Sequence, residues 1–336
     1  MSQVARRSCA KRTARGRLST ALALALLAAS VSGCSLRKLA VGTLADALAG
    51  SSAGFASDED PELIRDALPF ALKTIETLLS EVPENRGLLL SACQGFVLYG
   101  AGFVEPAADR LEETSYRQAK RQHERVLKLY LRARGYCFRA LELAYPGSTE
   151  TLIRAPGEAL AKAGREDVKL LYWTAGSWGS AIAAGLDRPE LVADLPAVRA
   201  LLEKALALDP QYDRGALHEA MMLVELAEVR SGSGSVERAR EHFERALALN
   251  GGQRAGTYVA WAEAVAVQEQ DRAEFERLLA KALAVDPDRN APDRLANVIY
   301  QERARWLLDR ADELFLDGFE DDAVEDGGLP EGENLR

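Results

Sequence analysis

From Pro61 to about Phe315, apolar residues recur every three or four positions, the period of helices with one face turned inward. Leu63, Ala67, Phe70, Ile75, Leu78 and Leu79 form one such stripe; Val126, Leu127, Tyr130, Leu131 and Phe138 form another. No stretch joins β-branched residues to a period of two, so the pattern predicts an all-α chain without a sheet. Breaks fall at Val82-Pro83, Tyr145-Pro146-Gly147, Asp209-Pro210, Ser231-Gly232-Ser233-Gly234, Gly251-Gly252 and Asp286-Pro287. They imply about ten helices, mostly antiparallel neighbours. Ser57-Asp58-Glu59-Asp60-Pro61 opens the folded part with a side-chain cap, first-turn acids and a proline whose missing N–H costs nothing there.

Three helix ends repeat one another: Leu202 to Pro210, Phe243 to Asn250, and Leu279 to Pro287. With Ala205, Ala246 and Ala282 as equivalents, the spacings are 41 and 36 residues, longer than the roughly 34 of a regular tetratricopeptide repeat. In the best copy Leu223 takes the tryptophan position, Leu226 and Ala227 the Leu-Gly pair, and Ala239 and Phe243 the Ala-x3-Phe pair. Arg230 replaces the expected tyrosine and Gly251 the closing proline. The expectation for residues 57–316 is a degenerate tetratricopeptide-like solenoid, in which small residues let paired helices approach and Phe243 fills the gap between neighbours.

The N-terminus follows other rules. Arg6, Arg7, Lys11, Arg12, Arg15 and Arg17 precede any acid, and an apolar run from Leu18 to Gly33 is too short to span a bilayer. The run ends in Val31-Ser32-Gly33-Cys34, which resembles the lipobox of bacterial lipoproteins. Residues 1–33 are therefore expected to be an export signal and Cys34 the lipidated residue that attaches the protein to a membrane. The Arg6-Arg7 pair lacks the apolar residue that twin-arginine export uses next, so that route is set aside. Residues 34–56, small and weakly patterned, make a tether. Ser35 is not the aspartate that retains lipoproteins at the inner membrane under the enterobacterial rule, which favours outer-membrane attachment on the periplasmic side.

Loss of the signal removes six of 42 basic residues and none of 51 acidic ones, leaving 36 − 51 = −15. Such a surface repels phosphate backbones and excludes nucleic acid as a partner class. About 300 residues can bury a large core, as one extended or two compact domains. Residues 317–336 hold eight carboxylates and no base before Arg336, the composition of a disordered, solvating tail. Asp317, Asp321 and Asp322 lack the spacing and central glycine of a calcium loop. Of the cysteines that survive processing, Cys93 and Cys137 either pair in an oxidising compartment or serve as separate small core residues. Their settings, Leu88 to Val97 and Tyr136 to Leu143, point to the second.

Catalytic chemistry finds no support. His123, His218 and His242 have no second ligand at helical spacing, which disfavours zinc. No nucleophile elbow, phosphate loop or dinucleotide fingerprint occurs, so neither enzyme nor cofactor is expected. Two aromatic clusters stand out. Tyr172-Trp173 and Trp178 neighbour Gly176, Gly179 and Ser180, while Phe96, Tyr99 and Phe103 are interrupted by Gly95, Gly100 and Gly102. Each helical glycine costs roughly 1 kcal/mol against alanine. Close helix packing would offset that, and so would an apolar ligand pocket lined by Tyr99, Phe103, Tyr172, Trp173 and Trp178.

Phe55 to Leu63, with Ala67-Leu68-Pro69-Phe70, resembles the start of the mature domain in the T-component lipoproteins of TRAP (tripartite ATP-independent periplasmic) transporters. The likeness continues through Trp173 to Trp178, Pro189-Glu190-Leu191, Leu208-Asp209-Pro210, Gly215-Ala216-Leu217-His218 and Leu295-Ala296-Asn297, and so covers Phe55 to about Leu308. It implies an all-helical protein with cryptic tetratricopeptide-like repeats, homotrimers, and partnership with the periplasmic solute-binding subunit. It also implies an apolar ligand passed through a pore or cavity; a small organic solute, apolar or carboxylated, is the expected cargo. The acidic tail has no counterpart in that likeness, and no motif identifies a ligand. A general tetratricopeptide-type envelope adaptor without ligand is the competing reading.

Overall fold

The computed structural model describes residues 52–316 apart from residue 231. The export signal, Cys34, nearly all of the tether and the acidic tail lie outside the described residues. Every regular element among the described residues is helical, and no strand forms. The chain divides into two compact units, the first ending at Tyr212 and the second beginning at Asp213.

In the first unit α1 (Pro61–Glu81), α2 (Arg86–Tyr99), α3 (Glu105–Glu112), α4 (Tyr116–Ala144), α5 (Ser148–Arg154), α6 (Val168–Ala183) and α7 (Leu195–Leu208) follow in order. The Asp60 carboxylate caps α1, accepting from the amides of Glu62 and Leu63, both at 3.0 Å. This helix buries Ile64, Leu68, Leu72 and Leu79, whereas Leu63 and Phe70 are 57% and 79% exposed. The stripe expected through Leu63 and Phe70 is thus displaced. Apolar residues occupy two faces of α1, and packing on α2 selects the one through Leu68 and Leu72. In α4 the expected Val126, Leu127 and Tyr130 are all buried.

A disulfide joins Cys93 of α2 to Cys137 of α4, with Cα atoms 5.4 Å apart. This corrects the expectation of two separate core residues. Both are fully buried, as core residues would be, but the inward faces of the two helices bring them to one level. Gly95 of α2 and Gly100, which follows it, let α1 and α4 approach closely. A Cβ on Gly95 would lie 2.6 Å from Leu72 Cδ2, and one on Gly100 would lie 2.6 Å from Tyr130 Cε1. Between α2 and α3 the backbone widens into a π-helical turn, Gly100–Val104, just ahead of Pro106. A proline there has no N–H to give and crowds the carbonyl four residues back, which the wider turn relieves. By length and mean hydropathy (1.6) the stretch Arg86–Glu112 could cross a membrane, but half of its most apolar window is buried inside the protein. It is the core helix of its unit.

On their polar side α1 and α4 are clipped by Glu76. Its Oε1 accepts from Tyr136 Oη at 2.6 Å and Arg132 Nε at 2.5 Å, and its Oε2 from Lys73 Nζ at 2.7 Å. Burial by itself raises this carboxyl's pKa, but the three donors outweigh it and hold the pKa below the ordinary value. A depressed folded-state pKa adds stability that is present above the ordinary carboxylate range, near pH 4, and is lost as pH falls through the depressed value. Glu76→Gln is expected to cost about 2 kcal/mol at pH 7, with a smaller deficit at pH 3. Urea melts at the two pH values check this; equal deficits would remove the ionic contribution.

The second unit holds α8 (Ala216–Arg230), α9 (Val236–Asn250), α10 (Ala255–Trp261), α11 (Arg272–Leu283) and α12 (Arg294–Asp309). A second π-helical turn, Ala262–Ala266, continues α10. Phe243 stacks on Trp261 with ring centroids 4.7 Å apart, inside a core that includes Met222, Leu226, Phe275 and Leu279. Ala239, Ala246 and Ala282 are fully buried here, as is Ala205 in the first unit. Leu223, at the tryptophan position of the repeat pattern, is half exposed. Twelve helices of seven residues or more form among the described residues, against the expected ten or so, and prolines start further one-turn helices, Pro156–Ala159 and Pro189–Val192.

Candidate functional site

Tyr99 and Phe103 sit four residues apart where α2 passes into its π turn, both half-buried, with ring centroids 6.2 Å apart. Arg125 of α4 lies 5.7 Å over the Tyr99 ring and donates to its hydroxyl at 3.3 Å. Tyr172 and Trp173, at the start of α6, meet edge to face at 5.2 Å, and Tyr172 also packs on Tyr212 at 5.6 Å. Both are half-buried. Trp178 differs. It is fully buried, its indole ring meets Phe138 of α4 at 4.8 Å, and its N–H donates to Asp194 Oδ2 at 3.2 Å. Of the five aromatic residues singled out, four therefore present accessible ring surface and the fifth is core.

The α6 glycines are not explained by packing. A Cβ on Gly176 would meet nothing within 4 Å, and one on Gly179 only Val198 at 3.7 Å. Trp173, Gly176 and Ser180 thus share a smooth, half-exposed strip of α6. A groove of about 420 Å³ lies elsewhere in the unit, lined by Pro156, Gly157, Leu160, Ala161, Ala200, Glu203 and Lys204, and by none of the five aromatic residues.

Arg134 adds a cation beside Trp178 that the sequence did not disclose. Its guanidinium lies 5.4 Å from the Phe138 ring and 5.8 Å from Trp178, and 3.9 Å from Asp194 Oδ2. Burial holds its pKa below the ordinary arginine value, against the pull of Asp194. The available signal was the Arg134/Phe138 spacing on one helix face, which stacks a cation on a ring.

In the second unit α8 and α9 bring His218 and His242 together, Nδ1 to Nδ1 at 2.9 Å. One ring must present N–H and the other a lone pair. The pairing crosses a helical hairpin, so helical spacing could not reveal it. Among the described residues no group of three or more His, Cys, Asp or Glu could hold a metal ion. Two segments that carry the family likeness also frame one polar network here. Gly215 closes a run of three left-handed residues with Asp213 and Arg214 (φ 41°, 51° and 101° in chain order). A Cβ on Gly215 would come within 3.1 Å of the Ala246 backbone, so both backbone angle and space require glycine. Buried Asn297 accepts from the Ala255 amide at 2.9 Å and donates to the Gln253 carbonyl at 3.1 Å.

The family model of the TRAP transporter T-component matches residues 57–315, which takes in nearly all of both described units. The chain belongs to this family. A protein of Treponema pallidum (strain Nichols), described only as an uncharacterized protein, is 30% identical over 303 residues, covering 85% of this chain and 94% of its own length. T-components are accessories of transport rather than an enzyme family, and a TRAP component works at a membrane or on its periplasmic side. The disulfide of this T-component suits such an oxidising setting.

Proposed function

We propose that this T-component is a lipid-anchored, periplasm-facing accessory that docks the solute-binding subunit of its TRAP system and assists uptake of a small apolar or carboxylated ligand. The observation that carries the proposal is the family match across 57–315. The half-exposed rings of Tyr99, Phe103, Tyr172 and Trp173 offer apolar contact surface, and Arg134, backed by Trp178, offers a cation suited to a carboxylate. The α8 and α9 hairpin, with Ala239, Ala246 and Phe243 turned inward, supports a tetratricopeptide-like docking scaffold, working as a homotrimer. Co-purification and light scattering with the cognate solute-binding subunit test this. A stable complex at concentrations on the order of 10 μM is expected, and its absence overturns the docking role.

One observation favours the second reading, an envelope adaptor without ligand: the 420 Å³ groove has no aromatic lining and Trp178 is sealed in the core. Crosslinking in cells that recovered only envelope-assembly proteins would select it. Either role uses the anchor at Cys34, with the outer membrane favoured. An acylated cysteine with two attached lipid signals holds a domain stably while a tether lets it reach mobile partners. Palmitate should label the wild-type chain and not Cys34→Ala; labelling of both would place the lipid elsewhere.

A further inference from the structure

The acidic T-component carries one strongly basic helix. α4 has eight Lys and Arg against Glu124 and Glu142, a net +6, while the whole chain nets −9, so everything outside α4 sums to −9 − 6 = −15. The basic residues are not spread around it. At about 100° per residue, Arg117, Arg121, Arg125, Lys128, Arg132 and Arg139 fall within about 80° of one another. Lys120 flanks them. The buried residues Ala119, Val126, Tyr130, Ala133 and Cys137 occupy the opposite face. All seven cations are exposed, along a ridge about 33 Å long.

Helix stability does not account for this placement. The N-terminal turns of a helix favour acids, yet α4 has none in its first turn and sets Arg117, Lys120 and Arg121 there. Ser115 before it makes no side-chain cap hydrogen bond. The pairs Arg117/Arg121, Arg121/Arg125 and Lys128/Arg132 put like charges at i,i+4, and Glu124, placed between Lys120 and Lys128, offsets only part of that repulsion. Internal bonds engage only part of the ridge: Arg125 donates to Tyr99 Oη at 3.3 Å and Arg139 to the Pro83 carbonyl at 2.9 Å. Arg132 pairs with Glu76, but Arg117, Lys120, Arg121 and Lys128 meet no carboxylate among the described residues.

We infer that the α4 ridge is a membrane-docking surface that seats the T-component on anionic phospholipid headgroups. The occupant follows from charge complementarity. Arg117, Lys120, Arg121 and Lys128 have no carboxylate partner among the described residues, Arg125, Arg132 and Arg139 extend the row while also bonded within the unit, and Glu124 is the one acid on it; this predominantly cationic face matches a plane of phosphates, and the excess negative charge elsewhere turns the remaining surface away from that plane. A TRAP component works at or beside such a plane. Each basic residue brought near an anionic leaflet adds roughly fivefold to the partition coefficient, so the ridge would fix the orientation of the first unit on the membrane. This is a property of the fold separate from ligand carriage or subunit docking.

The test uses the mature chain, residues 34–336, with Cys34→Ser so that no lipid is attached. It is mixed with phosphatidylcholine vesicles that either lack phosphatidylglycerol or contain about one third of it. Co-sedimentation is expected with the anionic vesicles alone, with release at high salt. Arg117→Glu/Arg121→Glu/Lys128→Glu should lower the partition coefficient by about 100-fold. Arg188→Glu/Arg230→Glu/Arg245→Glu, an equal charge change at exposed positions off the ridge, should keep most of the binding. Matching thermal melts show that both variants are folded. Equal binding to neutral vesicles, or a ridge variant that binds as the wild type does, overturns the inference. So does a wild type that ignores anionic vesicles while the ridge variant loses the solute-binding subunit, which would make the ridge a protein-docking face.

Discussion

Cys93→Ser/Cys137→Ser is expected to melt about 10 °C below the wild type. The bond closes a loop across 44 residues, and chain entropy released in the unfolded state puts its contribution at about 4 kcal/mol. For a unit of this size each kcal/mol shifts the midpoint by roughly 2–4 °C. The two sulfurs are in the middle of the first unit's core, beside Leu89, Ala92 and Leu141, and the Cys93 sulfur lies 3.7 Å from the Trp173 carbonyl. Loosening the α2 to α4 crosslink therefore loosens the seat of α6 and its aromatic strip. Calorimetry of the variant, and of the wild type under reductant, should give the same lowered midpoint. If reductant leaves the wild-type midpoint unchanged while the variant still melts low, the cost is one of packing, and the two cysteines are unpaired core residues after all. Cys93→Ala/Cys137→Val, which keeps the site apolar, separates these cases should the serine variant not fold.

The disulfide shows where sequence reasoning stops. Cys93 and Cys137 each lie in an apolar helical run, which is all that composition can report. Whether they face each other depends on the rotation and level of two helices. Similar limits explain α1: Leu63 and Phe70 fit a helical stripe as well as Ile64 and Leu68 do, and the neighbouring helix decides between them. Local backbone signals carried further. The helices end at Glu81, Ala144, Leu208 and Asn250, beside the Pro and Gly breaks, because those residues act within a few positions of themselves. Pro69, inside α1, and Pro106, which a π turn absorbs without ending the apolar run, are exceptions. The alanines at 205, 246 and 282, aligned by the repeat pattern, are all sealed, as small core residues of any paired helices would be.

For the candidate site the sequence disclosed which residues are unusual but not how they are disposed. Tyr99, Phe103, Tyr172 and Trp173 keep accessible ring surface, while Trp178, alike in every sequence respect, became the backing of Arg134. Aromatic rings serve a core and a binding surface with the same chemistry, and only burial separates the two uses. The glycines divide in the same way: Gly95 and Gly100 admit neighbouring side chains, whereas Gly176 faces open space. Basic residues on α4 gave no signal at the level of composition because the acids elsewhere hide them. Their meaning came from the face they share.

Arg254→Met should destabilise the second unit by about 3–5 kcal/mol, the cost of stranding buried charge. The Arg254 side chain is only 12% exposed and meets Asp213 at 2.7 Å, Asp293 at 3.3 Å and Glu219 at 3.5 Å. Its removal leaves Asp293 with Arg214 and Asn290, and Glu219 with Thr257 and Asn250. It leaves Asp213, at φ 41°, without the contact that holds it in a left-handed conformation costing roughly 1–3 kcal/mol. Burial and the charge of Arg254 also hold Arg214 below the ordinary arginine pKa, so the methionine variant relieves one repulsion while breaking three attractions. Arg254→Lys should recover only part of the loss, because a point charge cannot reach three carboxylates as a planar fork does. The change should be local before it is global. Amide exchange at Arg214, Gly215 and Ala255 should quicken by more than exchange in α11, since the network ties the 213–215 turn to the start of α10 while α11 is held by the apolar core around Phe275 and Leu279. A uniform rise in exchange across the unit would mean that Arg254 supports overall stability without fixing the turn. Full stability in the methionine variant would show that the three acids already find sufficient partners in Arg214, Asn290, Thr257 and Asn250.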